Sequence, residues 1–372
     1  MALAVNFMGL HLKNPLIVAA GPWSGNSTKI KESFAAGAAA VVTETIVSEP
    51  CFDVNPRLAY NGSGMQNIRR YSNRSFEEWI TELAIAKSTG GVVIASVLAQ
   101  TPSEIGYIAE KVEKAGADAL ELGIACPMGE GVEVIAADPN RVYALTKAVV
   151  ERVKIPVMVK LSQNMTNMGQ VGRFVEDAGG HGISAIDTVR CILGVDIEKR
   201  RPLLPTYGGY SGPPIKPMGL ASVASIAQST TLPVCGVGGI ENYKDVIEYL
   251  MIGATTVQIG TSLILYGIGR LTKILEDLER WMEQNGVENI NEIRGVALNK
   301  LQSFDNIKVE PKAVKINGSC KRSDCNRCIE CCGIYEAISK IGEEIVVDPY
   351  KCTGCGLCRD VCMDNKFSLV RR

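Results

Sequence analysis

The chain has 372 residues, 39 of them Lys or Arg and 40 Asp or Glu, for a formal net charge of -1. That length allows one large domain plus a smaller one, and the absence of any basic block gives no reason to expect nucleic acid or an anionic membrane as partner. The N-terminus lacks a signal-peptide pattern and no apolar run reaches the roughly 18 residues of a membrane span, so the 13 cysteines point to metal or redox chemistry in a cytoplasmic protein rather than to disulfides.

Short β-branched or apolar runs recur along the first 261 residues: LIVAAG (16–21), AVVTET (40–45), VVIASV (92–97), ALELGIA (119–125), VMVKLS (157–162), GISAID (182–187), VCGVGGI (234–240) and TVQIGT (256–261). Segments with helical apolar spacing separate them, such as IGYIAEKVEKAGA (105–117), RVYALTKAVVERVK (141–154) and NYKDVIEYLMIGA (242–254). Eight alternations predict an α/β fold, a (β/α)8 TIM barrel over 1–305. A doubly wound open sheet is the alternative, but no Rossmann fingerprint follows the first run.

Barrels of this type carry their functional groups at the carboxyl ends of the strands, where Glu44, Ser96, Cys126, Lys160, Asp187, Gly238 and Thr261 fall. The glycine-rich ends of runs seven and eight suit a phosphate, because backbone N–H groups at such turns form an anion site. With only His11 and His181 in the chain, any proton donor is expected from another residue type. Cys51, Cys191 and Cys235 read as structural filler.

After about residue 305 the sequence becomes polar and aperiodic, and 306–372 reads as a linker followed by a cysteine-dense domain. Cys352, Cys355, Cys358 and Cys362 form C-x2-C-x2-C-x3-C, the bacterial ferredoxin run for [4Fe-4S] clusters, whose last cysteine ligates the other cluster. Upstream, Cys320, Cys325, Cys328 and Cys332 give the same ending with a widened first gap. A second register uses Cys325, Cys328 and Cys331. The first is preferred, giving one cluster on Cys320, Cys325, Cys328 and Cys362 and the other on Cys332, Cys352, Cys355 and Cys358. Two one-electron clusters call for a flavin to convert single electrons into two-electron chemistry.

LELGIACPMGEG (120–131), TYGGYSGPPIKPMGL (206–220), VCGVGGI and the cysteine tail together resemble the pyrimidine-reducing module of dihydropyrimidine dehydrogenase, within the dihydroorotate dehydrogenase-like family. The resemblance implies FMN at the top of the barrel, with phosphate contacts at Gly212, Gly238, Gly239, Gly260 and Thr261. It places Ala19, Ala20, Glu44, Thr45 and Lys160 beside the flavin ring. Cys126 is then the general acid that protonates one carbon while the flavin N5 delivers hydride to its neighbour, carried on a loop able to close the site. The electron donor is expected to be ferredoxin or a partner subunit carrying FAD and NAD(P), and the assembly an oligomer.

Three positions depart from the family pattern. Gly123 replaces a substrate-reading asparagine and is expected to leave room for something larger. Asp187, followed by Thr188, replaces another, while Asn67 retains a third; an ionised aspartate accepts hydrogen bonds but cannot donate them. Glu44 stands where the family places a lysine, so the flavin should lose a positive neighbour unless Lys160 compensates. The expected function is reduction, or reversible oxidation, of a C=C bond conjugated to a carbonyl in a small, cyclic substrate other than uracil. An electron-relay subunit with an inactive barrel is the alternative.

Overall fold

The computed structural model describes residues 2–126, 135, 137–163, 167–308, 312–318, 320, 324–342 and 344–371. It divides into two compact units, Met1–Lys300 and Leu301–Arg372.

All eight apolar runs of the first unit contain strands: β1 Leu16–Val18, β2 Ala40–Val42, β3 Val92–Val97, β4 Ala119–Leu122, β5 Val157–Leu161, β6 Gly182–Ala185, β7 Val234–Val237 and β8 Thr256–Ile259. They pair in parallel, in chain order, and β8 returns to β1 through Val257↔Leu16, Gln258↔Ile17 and Ile259↔Val18, closing the barrel. Each strand faces side chains within the barrel and helices outside it, which is why the runs are continuously apolar rather than alternating.

Several of the helices start at polar caps. Asn26 accepts from the Lys29 amide before Ser27–Ala35, Ser75 and Glu78 form a reciprocal capping box before Phe76–Lys87, and Thr101 and Asp138 cap helices that open with Pro102 and Pro139. Phe76–Lys87 buries Trp79, Leu83 and Ala86, spaced four and three residues apart, against the barrel. At the amino end a hairpin of Val5–Phe7 and Leu10–Leu12 turns through Met8 and Gly9, both at positive φ as a tight two-residue turn requires. Met8 lies close over Gly182, the first residue of β6.

At the carboxyl end, two long βα connections join. Leu58–Tyr60 and Met65–Asn67 from the loop after β2 combine with Val189–Cys191 and Gly208–Ser211 from the loop after β6 into one four-stranded antiparallel sheet. Gly209 pairs with Asn67, which also pairs with Leu58.

In the second unit, Lys312–Ile316 pairs with Phe367–Arg371 and Ile338–Ile341 with Glu344–Val347, with short helices at Arg327–Cys331 and Leu357–Val361. Its core contains Ala313, Val314, Ala337, Ile338, Ile345 and Phe367 together with Cys352 and Cys358. Across the described residues, no helix is long and apolar enough to cross a membrane.

Candidate active site

The ends of the barrel strands surround a cleft. Its walls include Ala19 and Ala20 after β1, Lys160 at the end of β5, Asp187 and Thr188 after β6, Gly238 and Gly239 after β7, and Gly260 and Thr261 after β8; Gly212 and Asn67 come from the two long connections. Gly238 and Gly239 turn through φ of 115° and 72°, and a Cβ on Gly239 would stand 2.7 Å from Lys216 Cβ and 3.0 Å from the Gly212 carbonyl oxygen. The turn is therefore closed to any side chain, and backbone forms its wall. Beside it the Ser262 hydroxyl, 2% exposed, lines the cleft without a hydrogen-bond partner among the described residues. A buried, unsatisfied hydroxyl next to a backbone-only turn fits an oxygen-rich group such as a phosphate.

The floor of the cleft is polar. The Lys160 ammonium lies 3.0 Å from Glu121 Oε1 and donates to Gln258 Oε1 at 2.6 Å. Glu121 Oε2 accepts from Gln258 Nε2 at 2.6 Å and from the Ser184 hydroxyl at 2.8 Å. Burial alone would lower the pKa of Lys160, but the Glu121 and Asp187 carboxylates outweigh it and raise it. Asp187 accepts from the Thr188 amide at 2.6 Å; desolvation raises its pKa against the opposing pull of Lys160.

A second cavity adjoins the cleft, sharing Ala20, Gly21, Pro22, Met65, Asn67 and Ile264. Glu44, Thr45, Arg69, Arg70 and Tyr71 form the rest of its polar wall, with Arg57 at one edge. Glu44 is held by both terminal nitrogens of Arg69, at 2.8 and 3.3 Å, and Arg69 Nε stands 3.1 Å from Asp53 Oδ1. Burial raises the Glu44 pKa while Arg69 opposes it. Glu44 is thus an ion-paired wall residue whose partner is Arg69, while the Lys160 ammonium pairs with Glu121.

Two further expectations change. Gly123 opens no space: a Cβ there would meet Ser96 Oγ at 3.1 Å and Thr45 Cγ2 at 3.2 Å, and those two hydroxyls hydrogen-bond at 2.9 Å over it. Asn67 lines both cavities, yet its side-chain oxygen accepts from the Arg69 amide at 2.9 Å and its nitrogen donates to the Arg69 carbonyl at 3.3 Å, so its amide braces the chain. Cys126 is 8% exposed and lines neither cavity; it neighbours the Tyr71 hydroxyl, whose pKa is raised by burial and by that thiol. The loop that follows Cys126 lies outside the described residues. Sequence reasoning missed Glu121, Gln258 and Arg69. The signal for the first two was present, as single polar residues inside the apolar runs LELG and VQIG.

The family model for dihydroorotate dehydrogenase matches residues 2–282. The chain belongs to the dihydroorotate dehydrogenase family. Among relatives in this family, the chain is 36% identical over 299 residues to a protein of Pyrococcus abyssi and 38% identical over 302 residues to one of Thermoplasma volcanium, each named dihydroorotate dehydrogenase B (NAD(+)), catalytic subunit. Both alignments cover 99% of the relative and 80% of this chain, so a fifth of this dihydroorotate dehydrogenase family member has no counterpart there. A crystal structure of the Eimeria tenella dihydroorotate dehydrogenase with ferulenol superposes with a TM-score of 0.71 over 80% of this chain and 88% of that one; at 18% identity it speaks for the fold. Membership makes this protein a flavin-dependent oxidoreductase acting on CH–CH bonds, in a family that binds FMN.

The second unit contains two cysteine-lined cavities. One is lined by Cys320, Cys325, Cys328 and Cys362, the other by Cys331, Cys332, Cys352, Cys355 and Cys358. Among the described residues, no three His, Cys, Asp or Glu side chains converge closely enough to hold a single metal ion.

Proposed function

We propose that this protein reduces, or reversibly oxidises, a C=C bond conjugated to a carbonyl in a small, cyclic molecule, as an enzyme like the pyrimidine-reducing module of dihydropyrimidine dehydrogenase with an altered substrate. FMN bound in the cleft supplies hydride exchange and the conversion between one- and two-electron transfer. The Gly238–Gly239 turn, Gly212, Gly260, Thr261 and Ser262 hold its phosphate, and Lys160, Ala19 and Ala20 border its ring. Cys126 gives its thiol proton to the substrate carbon next to the one that receives hydride. Asp187 and Thr188 bind the substrate; the neighbourhood of Glu44, Thr45, Asn67 and Gly123 shapes the wall rather than reading an amide edge.

The second unit is proposed to be a ferredoxin-like domain with two [4Fe-4S] clusters. The observation that carries this reading beyond the family is the partition of the cysteines: Cys362, late in the chain, joins Cys320, Cys325 and Cys328, while Cys331 and Cys332 join Cys352, Cys355 and Cys358. This is the crossing typical of two-cluster ferredoxins. A cubane presents four irons to four separate thiolates, so its ligands need not converge on one point. The electrons would come from ferredoxin or from a partner subunit with FAD and NAD(P), and the relatives' designation as catalytic subunits favours the second.

The test is anaerobic. Purified protein is assayed for FMN and iron, reduced, and mixed with cyclic imides and enones while flavin reoxidation is followed. One class should reoxidise the flavin, and Cys126→Ala should slow that step by about 10²- to 10⁴-fold, the range of general acid catalysis. Absence of acceleration by every candidate, with partner electron transfer intact in Cys126→Ala, would favour an electron-relay subunit.

A further inference from the structure

The polar floor of the cleft contains a group that no step above uses. Glu121 is 1% exposed and does not border the cleft, whereas the two side chains it holds, Lys160 and Gln258, do. Three groups form a closed ring, Lys160 to Gln258 Oε1, Gln258 Nε2 to Glu121 Oε2 and Glu121 Oε1 back to Lys160, and the Ser184 hydroxyl donates to the same Glu121 Oε2 from outside it. An ammonium can only donate and a carboxylate can only accept, so the Gln258 amide has one permitted orientation between them.

The charged and titratable groups that act most on Lys160 are Glu121 from β4, Asp187 beyond β6 and Cys235 from β7, and Gln258 from β8 accepts its hydrogen bond. Burial pushes the Cys235 thiol up to about 12, which leaves it uncharged near neutral pH. Asp187 is desolvated, holds its proton more readily than an ordinary aspartate, and shares its carboxylate with the Thr188 amide. Glu121, which accepts from two side chains while paired to Lys160, is the dependable counter-charge. A buried ammonium without one sheds its proton.

We propose that Glu121 is a positioning residue that fixes the charge and direction of Lys160 and thereby sets the redox potential of a flavin in the cleft. The inference rests on the FMN reading above. With Glu121 ionised, its charge cancels that of Lys160. Replacing it by glutamine leaves an uncancelled positive charge, which favours the more negative, reduced flavin at low pH. The same change removes the main support for the protonated ammonium, so Lys160 titrates at a lower pH and the gain disappears as pH rises.

The experiment measures flavin content and then the flavin midpoint potential from pH 6 to 9.5 in the full-length wild type, Glu121→Gln and Glu121→Asp. Glu121→Gln should bind reduced over oxidised flavin about tenfold more favourably at pH 6, a rise of about 30 mV for a two-electron couple, and should lose that advantage toward pH 9.5. Glu121→Asp, which keeps the charge, should restore most of the wild-type profile. A flavin-loaded Glu121→Gln whose profile superposes on wild type overturns the inference alone. If Glu121→Gln retains no flavin, Glu121→Asp decides: flavin binding with the wild-type profile supports the charge, and loss of flavin there too shows a general structural role and overturns it. A wild type without flavin overturns this inference together with the reading beneath it.

Discussion

Gly123 is filled space. Thr45 and Ser96 close over its Cα, so the residue is small because its neighbours reach in. Gly123→Asn, which restores the amide of the related enzymes, should lower stability by about 1–3 kcal/mol through overpacking. Adding Thr45→Ala should recover much of it, and thermal melts of the two variants give the answer; an equal loss in both would show that the crowding lies elsewhere. Asp187 makes a pH-dependent prediction. Its folded pKa is raised, so the stability linked to its proton is fully present below the ordinary aspartate range, about pH 4, and is lost as pH rises through the folded value. Asp187→Asn should therefore melt above wild type at pH 7, with the difference vanishing toward pH 4. A lower melting temperature at pH 7 would mean that pairing with Lys160 outweighs desolvation.

At the scale of elements, β7 and its turn depend on the helix that follows. Tyr249, in Tyr243–Met251 and fully buried, packs its ring against Gly236 and donates to the carbonyls of Gly238 at 2.8 Å and Val237 at 3.2 Å. Tyr249→Phe leaves those partly buried carbonyls without that donor, though Val237 keeps the Ile186 amide, and should cost about 1 kcal/mol. It should also weaken flavin binding, measured by fluorescence titration, because the turn proposed to hold the phosphate loses its brace; unchanged affinity would separate the turn from that role. The eight barrel strands were legible because burial on both faces writes itself as continuous apolar sequence. The mouth sheet was not, since its strands are short, its outer ones are partly exposed, and its central pairing, of Met65–Asn67 with Gly208–Ser211, joins segments more than a hundred residues apart. The site divides the same way. Lys160 and the glycine turns sit at strand ends that the pattern locates, whereas the Glu44–Arg69 pair depends on how one loop folds back, which neither spacing nor periodicity records.

For the molecule as a whole, the second unit has a small core in which, among the described residues, two of the eight buried ones are cysteines. So little apolar material rarely folds unaided, and metal ligation contributes folding energy in such domains. The proposed clusters predict about eight irons per chain. Chelating them anaerobically should expose Leu301–Arg372 to protease while the barrel's melting transition remains. Cys328→Ala should lose about four irons and Cys331→Ala none, by the ligand assignment. Loss of iron in Cys331→Ala would send the register to its alternative, and retention of all iron in Cys328→Ala would overturn both.

The four-stranded sheet over the barrel mouth has a consequence for descent. Segments 58–67 and 189–211 are separated by the sequence of half a barrel, yet Asn67 stands in register with both Gly209 and Leu58. A recombinant that inherits one segment from this chain and the other from a relative would bring mismatched edges together. Changes in one segment are therefore expected to call for matching changes in the other, and covariation between the two in an alignment of relatives is the check.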